Sequence, residues 1–426
     1  MRRRLRTRTT LPRDVIVLGL IAFCVAVGFG VLIPVLPIFA RSFGVGNFEV
    51  GAVVSAFALL RLVTSPFCGR MINWAGERII LATGIFIVAA SSGVAGIAQS
   101  YPQLLVLRGV GGFGSAMFTV SAMTLLLTSV EPTIRGRAAG FFQGGFLIGG
   151  MTGPAVGGLL STISLTAPFF FYAGTLAVAG TVGLVLLRRG RGAAAPTPAA
   201  PALSFRQVVR DPRYQAACAT NLAQGWTSFG VRTSLVPILI VEVLHRPTSW
   251  TGIAFACASV TQTIAVGPAG KFVDTVGRKP AMVGGGALAA ISIFAVPFAP
   301  NIYLLIVALC AYGIAAAFLG TAPAAAVGDA AGGRGGTAVA VFSMCADVGA
   351  IVGPLVAGLL ADHISYPAAF GVGAALVLAA AANALRMPGG LPDTATPTPP
   401  APKPAAPPNT PTPPTKGGLD EPTPVD

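Results

Sequence analysis

The chain has 426 residues, of which 54% are hydrophobic and 10% charged, with a mean hydropathy of +0.77 and a formal net charge of +14 at pH 7. So few polar side chains cannot clothe a water-facing surface, which excludes an ordinary soluble globule and points to a membrane protein. The basic excess follows the sides of the membrane instead of clustering into a patch for nucleic acid, so no nucleic-acid partner is expected.

In chain order, residues 1–14 carry Arg2, Arg3, Arg4, Arg6, Arg8 and Arg13 ahead of an apolar run, which imitates a secretory signal. No small-residue cleavage site follows, and Pro34 and Pro37 lie inside the continuing run, so it reads as an uncleaved first helix. Phe23 stands before Cys24 where a lipoprotein site would need a small residue. Runs near the ~20 residues that cross a bilayer fall at 15–40, 48–69, 79–99, 102–127, 138–161 and 167–187, then at 214–241, 250–270, 280–299, 302–327, 337–361 and 367–386. They are continuous instead of alternating in polarity, which predicts helices and not barrel strands. The expected fold is an all-α membrane protein of twelve transmembrane helices in two six-helix bundles, residues 15–187 and 214–386. Residues 188–213 form a linker in which an Ala/Pro stretch precedes SFRQVVRDPRY, a short amphipathic helix. Residues 387–426, rich in Pro, Thr and Ala, are expected to be disordered.

The two bundles repeat one another. Gly30 and Pro37 return 200 residues later as Gly230 and Pro237, and Gly153-Pro154 returns as Gly353-Pro354. GRMINWAGERI from Gly69 is echoed by GKFVDTVGRKP from Gly270. Glycine and proline fall where backbone geometry demands them, so a shared offset predicts two halves with one fold. Arg70, Arg78, Arg135, Arg137, Lys271, Arg278, Lys279 and Arg334 share the loop side of the basic N-terminus, whereas the opposite loops offer Arg41 and Arg246. That bias places both termini in the cytoplasm and the chain, multi-pass, in the cell membrane.

The punctuation carries a resemblance. Gly270, Asp274, Gly277, Arg278 and Lys279 form a loop signature that Gly69, Asn73, Gly76 and Arg78 repeat, with Asn73 in place of the acid and Glu77 in place of a base. Arg108 is followed by Gly112, Gly114, Ser115 and Ala116, and the fifth span carries Gly145, Gly149, Gly153, Pro154, Gly157 and Gly158, partly echoed by Gly349, Gly353, Pro354 and Gly358. Over residues 15–386 the chain resembles the major facilitator superfamily, specifically its twelve-helix drug:proton antiporter branch. The resemblance implies gating by the loop signatures and an antiporter motif in the fifth span. Physically, glycines every four residues let helices approach closely and Pro154 removes a backbone donor.

Ionisable groups inside spans are costly and face a bundle interior. Spans three, six and nine hold none, while Arg61, Arg108, Arg232 and Asp347 lie in spans two, four, seven and eleven, joined by Gln143 and Gln262. On an α-helix Asn221, Gln224, Ser228 and Arg232 share one face, expected to meet a cavity together with Arg61. Phe141, Phe142, Trp226 and Phe229 are candidate aromatic surface. Asp347, the carboxylate placed well inside a span, is the proton-coupling candidate with Arg108 or Arg232 as its changing partner; Asp14 and Glu242 sit at span ends.

No phosphate-binding loop and no metal-ligand spacing is present: His245 and His363 fall in outer loops, and Cys24, Cys68, Cys218, Cys257, Cys310 and Cys345 are read as packing residues. The expectation is therefore a non-enzymatic, monomeric secondary transporter needing no cofactor or metal. It sits in the lipid bilayer, draws on the proton gradient and exports a small amphipathic compound or drug. The alternatives are an organic-anion transporter, suggested by three arginines against one aspartate, and a membrane sensor without transport. A cysteine placed in the Ala/Pro stretch of a cysteine-free variant is expected to resist an impermeant maleimide in intact cells and react after permeabilisation; labelling of intact cells would reverse the topology.

Overall fold

The computed structural model describes residues 11–130, 134–187, 205–330 and 336–388. Twelve long helices account for most of them: α1 Arg13–Leu32, α2 Asn47–Ala75, α3 Glu77–Ala95, α4 Tyr101–Thr128, α5 Arg135–Leu160, α6 Ala167–Leu186, α7 Pro212–Val243, α8 Thr248–Thr275, α9 Arg278–Phe298, α10 Ile302–Ala330, α11 Gly336–His363 and α12 Tyr366–Ala384. Among the described residues, eleven are long and apolar enough to cross a membrane. The exception, α5, has its hydropathy diluted by glycines, Gln143 and Pro154. The basic residues 1–10, the linker's Ala/Pro stretch, Arg334 and the Pro-rich tail from 389 lie outside the described residues, as does the side chain of Arg135. A short helix, Phe205–Arg210, occupies the later linker, and Asp211 caps α7 by accepting a 2.7 Å hydrogen bond from the Arg213 amide.

The expected first span is broken. α1 ends at Leu32, the chain turns through 33–35, and a separate helix, Leu36–Arg41, follows. Pro34 and Pro37 cannot donate to the helical ladder and crowd the preceding turn, which is why one continuous helix does not form. α2 and α8 run to Ala75 and Thr275, beyond the expected ends at 69 and 270. Each gives way to a reversal at a glycine of the loop signature, Gly76 with φ 84° and Gly277 with φ 120°. Those backbone angles are strained for any residue with a Cβ.

The repeat is realised in three dimensions. α1 packs along α5 and α6 as α7 packs along α11 and α12; α2 lies on α4 as α8 lies on α10; α3 sits on α4 and α6 as α9 sits on α10 and α12. Leu18, Ile21, Leu81, Leu125 and Phe169 centre one half, and Leu235, Phe255, Ile293, Leu309 and Phe370 the other. Because lipid tails are as apolar as leucine, burial from water does not hold such helices together; close van der Waals contact does. A Cβ added to Gly153 would lie 2.7 Å from the Gly30 Cα, and one added to Gly230 would lie 2.6 Å from the Gly353 carbonyl carbon. These are equivalent crossings 200 residues apart. The halves meet along α2–α11 and α5–α8. There too the repeat holds, since a Cβ on Gly158 would sit 2.8 Å from Gly252 Cα and one on Gly358 would sit 2.8 Å from Phe48 Cα.

Gly153→Val is expected to reach the membrane yet lower the thermal stability of the solubilised protein, overpacking of this kind costing about 1–3 kcal/mol. Gly140→Val, at a position with nothing within 4 Å, is the control. Melting temperatures equal to wild type for both would contradict the close crossing.

Candidate functional site

Both seams between the halves are closed at the end away from the basic loops. Arg41, after the break in the first span, binds Glu242 of α7 through Nε–Oε1 and Nη2–Oε2, each 2.8 Å, and donates from Nη1 to the Val45 carbonyl at 2.6 Å. The hydrogen bond to the Glu242 carboxylate raises the Arg41 pKa above its ordinary value against the opposing effect of burial. Asp362 near the end of α11 caps α2: it accepts hydrogen bonds from the Asn47 amide (3.0 Å), Asn47 Nδ2 (2.7 Å) and the Phe48 amide (2.8 Å). A carboxylate facing the free amides and positive dipole end of a helix is a favourable cap. Two turns further in, Ser55 donates to the Ile351 carbonyl at 2.6 Å. Deeper still, Arg61 of α2 pairs with Asp347 of α11.

Beyond that pair the seams part. Trp74 on the basic-loop end of α2 is 88% exposed, and Cβ positions built at Gly140, Gly144, Gly150, Gly267 and Gly270 on α5 and α8 meet nothing within 4 Å. Of the loop-signature residues, Asn73 and Asp274 are exposed and hydrogen-bonded to no described residue, so neither acts as a latch in this conformation. Arg78 donates to the Leu184 carbonyl, Arg278 pairs with Asp329 at 2.9 Å, and Lys279 donates to the Met387 carbonyl at 3.0 Å, all within their own halves.

A cavity of about 330 Å³ lies between the halves at the level of the Arg61–Asp347 pair. Phe29, Phe57, Phe118, Phe146 and Tyr172 of the first half and Phe229 of the second give it an aromatic lining, and Arg61 and Arg108 are its charged members. Arg108 is 4% exposed, stands over the Phe57 ring at 4.7 Å, and has a buried Nε without a hydrogen-bond partner. No carboxylate pairs with it among the described residues. A cation–π contact contributes about 0.5–2 kcal/mol, less than the several kcal/mol that desolvating an ion costs.

Several expected cavity residues lie elsewhere. Asp347 meets Arg61 and not Arg108 or Arg232. The α-helical face proposed for α7 does not survive because Trp226–Thr233 winds as a π-helix, with the Thr233 hydroxyl reaching the Ser228 carbonyl five residues back at 2.7 Å. Wider winding rotates the later residues out of α-helical register. Asn221 donates to the Phe342 carbonyl at 2.7 Å, Ser228 contacts the Tyr312 hydroxyl at 3.3 Å, and Gln224 buries an Oε1 without a partner. Arg232 stacks near Phe255 and Tyr312, with its guanidinium carbon 5.5 and 5.6 Å from their ring centres. Phe229 and Thr233 reach the cavity instead. Gln143 is exposed, Gln262 half-buried, and neither lines it. Of the candidate aromatics, Phe142 is buried against Phe146, Phe141 packs beside Gly19, and Trp226 lies against Gly353. The glycine motif divides its work: Gly149, Gly153 and Gly157 face α1, Gly158 faces α8 across the seam, and Pro154 sets its ring toward Gly30 and its carbonyl toward Gly252. Asp362 was not singled out by sequence; its one signal was an acid at the outer end of a span whose repeat counterpart, Thr162, is neutral.

The family model described as Major Facilitator Superfamily matches residues 18–260 and 221–419. The synaptic vesicular amine transporter of Bos taurus is 27% identical over 327 residues, 75% of this chain and 62% of that protein. The quinolone resistance protein NorA of Staphylococcus aureus (strain MRSA252) is 28% identical over 182 residues, 42% of this chain and 45% of that protein. The match therefore spans less than two thirds of either relative's length. Among solved structures, a bacterial homologue of the human lysosomal transporter Spinster, in an inward-facing and unoccupied conformation, superposes with TM-score 0.70 at 17% identity over 88% of this chain and 95% of that one. The human organic anion transporter MFSD10 (TETRAN) gives TM-score 0.63 at 18% identity over 87% of this chain and 99% of that one. At such identities the structural likeness concerns the fold.

The outer cap generates a test. Removing a helix cap costs about 1–2 kcal/mol, a factor of roughly 5–30 in a two-state equilibrium. In a Ser55→Cys background lacking the native cysteines, Asp362→Ala is expected to speed thiol labelling from the outer side by that factor. An unchanged rate would remove Asp362 from the closure.

Proposed function

The chain belongs to the Major Facilitator Superfamily, and from that premise we propose that this secondary transporter exports a small amphipathic compound in exchange for protons across the cell membrane, by alternating access with both termini cytoplasmic. The observation that carries the reading is the Arg61–Asp347 pair, which joins the halves beside the cavity. With the basic loops cytoplasmic, the conformation described above is open to the cytoplasm and closed outside.

The pair gives proton exchange a physical basis. A carboxylate held by a guanidinium is kept as the anion, whereas one facing a cavity without that partner accepts a proton more readily. Closing the outer half of the seam brings Arg61 to Asp347 and expels the proton inward; opening it separates them and lets Asp347 reload from outside. Substrate enters the aromatic cavity from the cytoplasm while the pair is formed and leaves when the seam opens. Proton and substrate thus occupy opposite legs of one cycle, which is antiport. Relatives named for amine transport and for quinolone resistance support a cargo of small amphipathic compounds. The cavity is completed within one chain, so a monomer suffices. Asn73, exposed here, is free to engage when the cytoplasmic mouth closes.

Protonating Asp347 removes the attraction that holds the pair across the seam, which makes it the trigger for the switch in this cycle. Asp347→Asn is expected to abolish pH-gradient-driven transport in proteoliposomes while sparing substrate binding and downhill exchange. Gradient-driven accumulation at the wild-type rate in that variant would overturn the coupling role.

A further inference from the structure

The charge inventory of the cavity is asymmetric. Its charged lining residues are Arg61 and Arg108, and no carboxylate lines it among the described residues. Arg61 is neutralised by Asp347 across the seam, which leaves one full positive charge, on Arg108. That guanidinium is nine-tenths buried or more, carries a buried Nε with no acceptor, and stands over the Phe57 ring with Tyr172 beside it. Among the described residues none accepts a hydrogen bond from Arg108, the nearby Tyr172 hydroxyl included.

We infer that the cavity receives an amphipathic organic anion, its carboxylate docking on Arg108 and its ring system lying among Phe57, Phe118, Phe146 and Phe229. The inference rests on the reading of this cavity as the transport site and names the class of cargo that the reading leaves open. A planar carboxylate matches the guanidinium fork with two parallel charge-assisted hydrogen bonds. It gives the guanidinium a charged acceptor and restores neutrality inside a desolvated site. An organic cation would instead enter a cavity with an uncompensated positive charge and no acid to receive it. The volume, about 330 Å³, is at the small end for ligand sites, which run from about 300 to 1,000 Å³, and suits one or two fused rings. Energetics agree with the exchange cycle. An anion leaving and a proton entering both move positive charge inward, so a membrane potential negative inside and a pH gradient drive export together.

The test measures binding of three ring-matched probes to the purified full-length protein at neutral pH: naphthoate, its methyl ester and naphthylmethylammonium. Naphthoate is expected to bind at least tenfold more tightly than the other two. Arg108→Gln should lose that preference with the ester little affected, and Arg108→Lys should restore part of it. An amine or ester that binds as well as naphthoate to the wild type, or undiminished naphthoate affinity in Arg108→Gln, overturns the inference. Because the wild-type comparison needs no variant, misfolding of an arginine substitution does not block the answer. Flux of the same probes in proteoliposomes under a pH gradient separates the two readings. Naphthoate that binds through Arg108 but is never moved upholds the anion site and contradicts proton-coupled transport; gradient-driven flux of the amine without naphthoate binding does the reverse.

Discussion

The Arg61–Asp347 pair is the contact on which the rest of the arrangement depends, because it lies where the closed part of the α2–α11 seam gives way to the open part. On one side of it the halves are tied by Ser55, by the Asp362 cap and by Arg41 with Glu242. On the other, the helices diverge and their glycines meet nothing. An ion pair in a low-dielectric site is worth little as net stability, since desolvation offsets most of its attraction. In the proposed cycle its value is conditional: it requires a charged Asp347 and the halves drawn together at this level, and so would couple a proton to a conformation.

Around that pair, the repeat supplies a scaffold able to move as two bodies. Gly30 against Gly153 and Gly230 against Gly353 lock each half internally, whereas Gly158 against Gly252 and Gly358 against the start of α2 form thin crossings between halves. Polar groups then set which arrangement prevails. The outer end has them in quantity and, among the described residues, the open end has none across the seam.

Much of the fold was legible because it rests on backbone chemistry. Continuous apolar runs gave all twelve helices to within a few residues at most ends, and the glycine and proline offsets gave the pairing of the halves. Charge placement located Arg61, Arg108 and Asp347 near one cavity but did not decide who pairs with whom, since helix rotation and the separation of the halves set that. The α7 stripe failed for a sharper reason: residues 226–233 wind more widely than the α-helical spacing assumed, so Phe229 and Thr233 face the cavity while Arg232 turns toward Phe255 and Tyr312. Asp362 gave little signal in the sequence because its partners, the Asn47 and Phe48 amides and the Asn47 side chain, are 315 and 314 residues away.

The most direct measurement of the central claim is a pair of pulsed electron-spin distances in lipid nanodiscs, one across each mouth. Labels at Trp74 and Val339 report the open end, and labels at Ser42 and His363 report the closed one, all four being exposed positions. If protonation of Asp347 releases the seam, acidification should lengthen the Ser42–His363 distance while shortening the Trp74–Val339 distance, and Asp347→Asn should hold both near their acidic values at neutral pH. Distances that ignore pH, or that lengthen together at both mouths, would contradict the account.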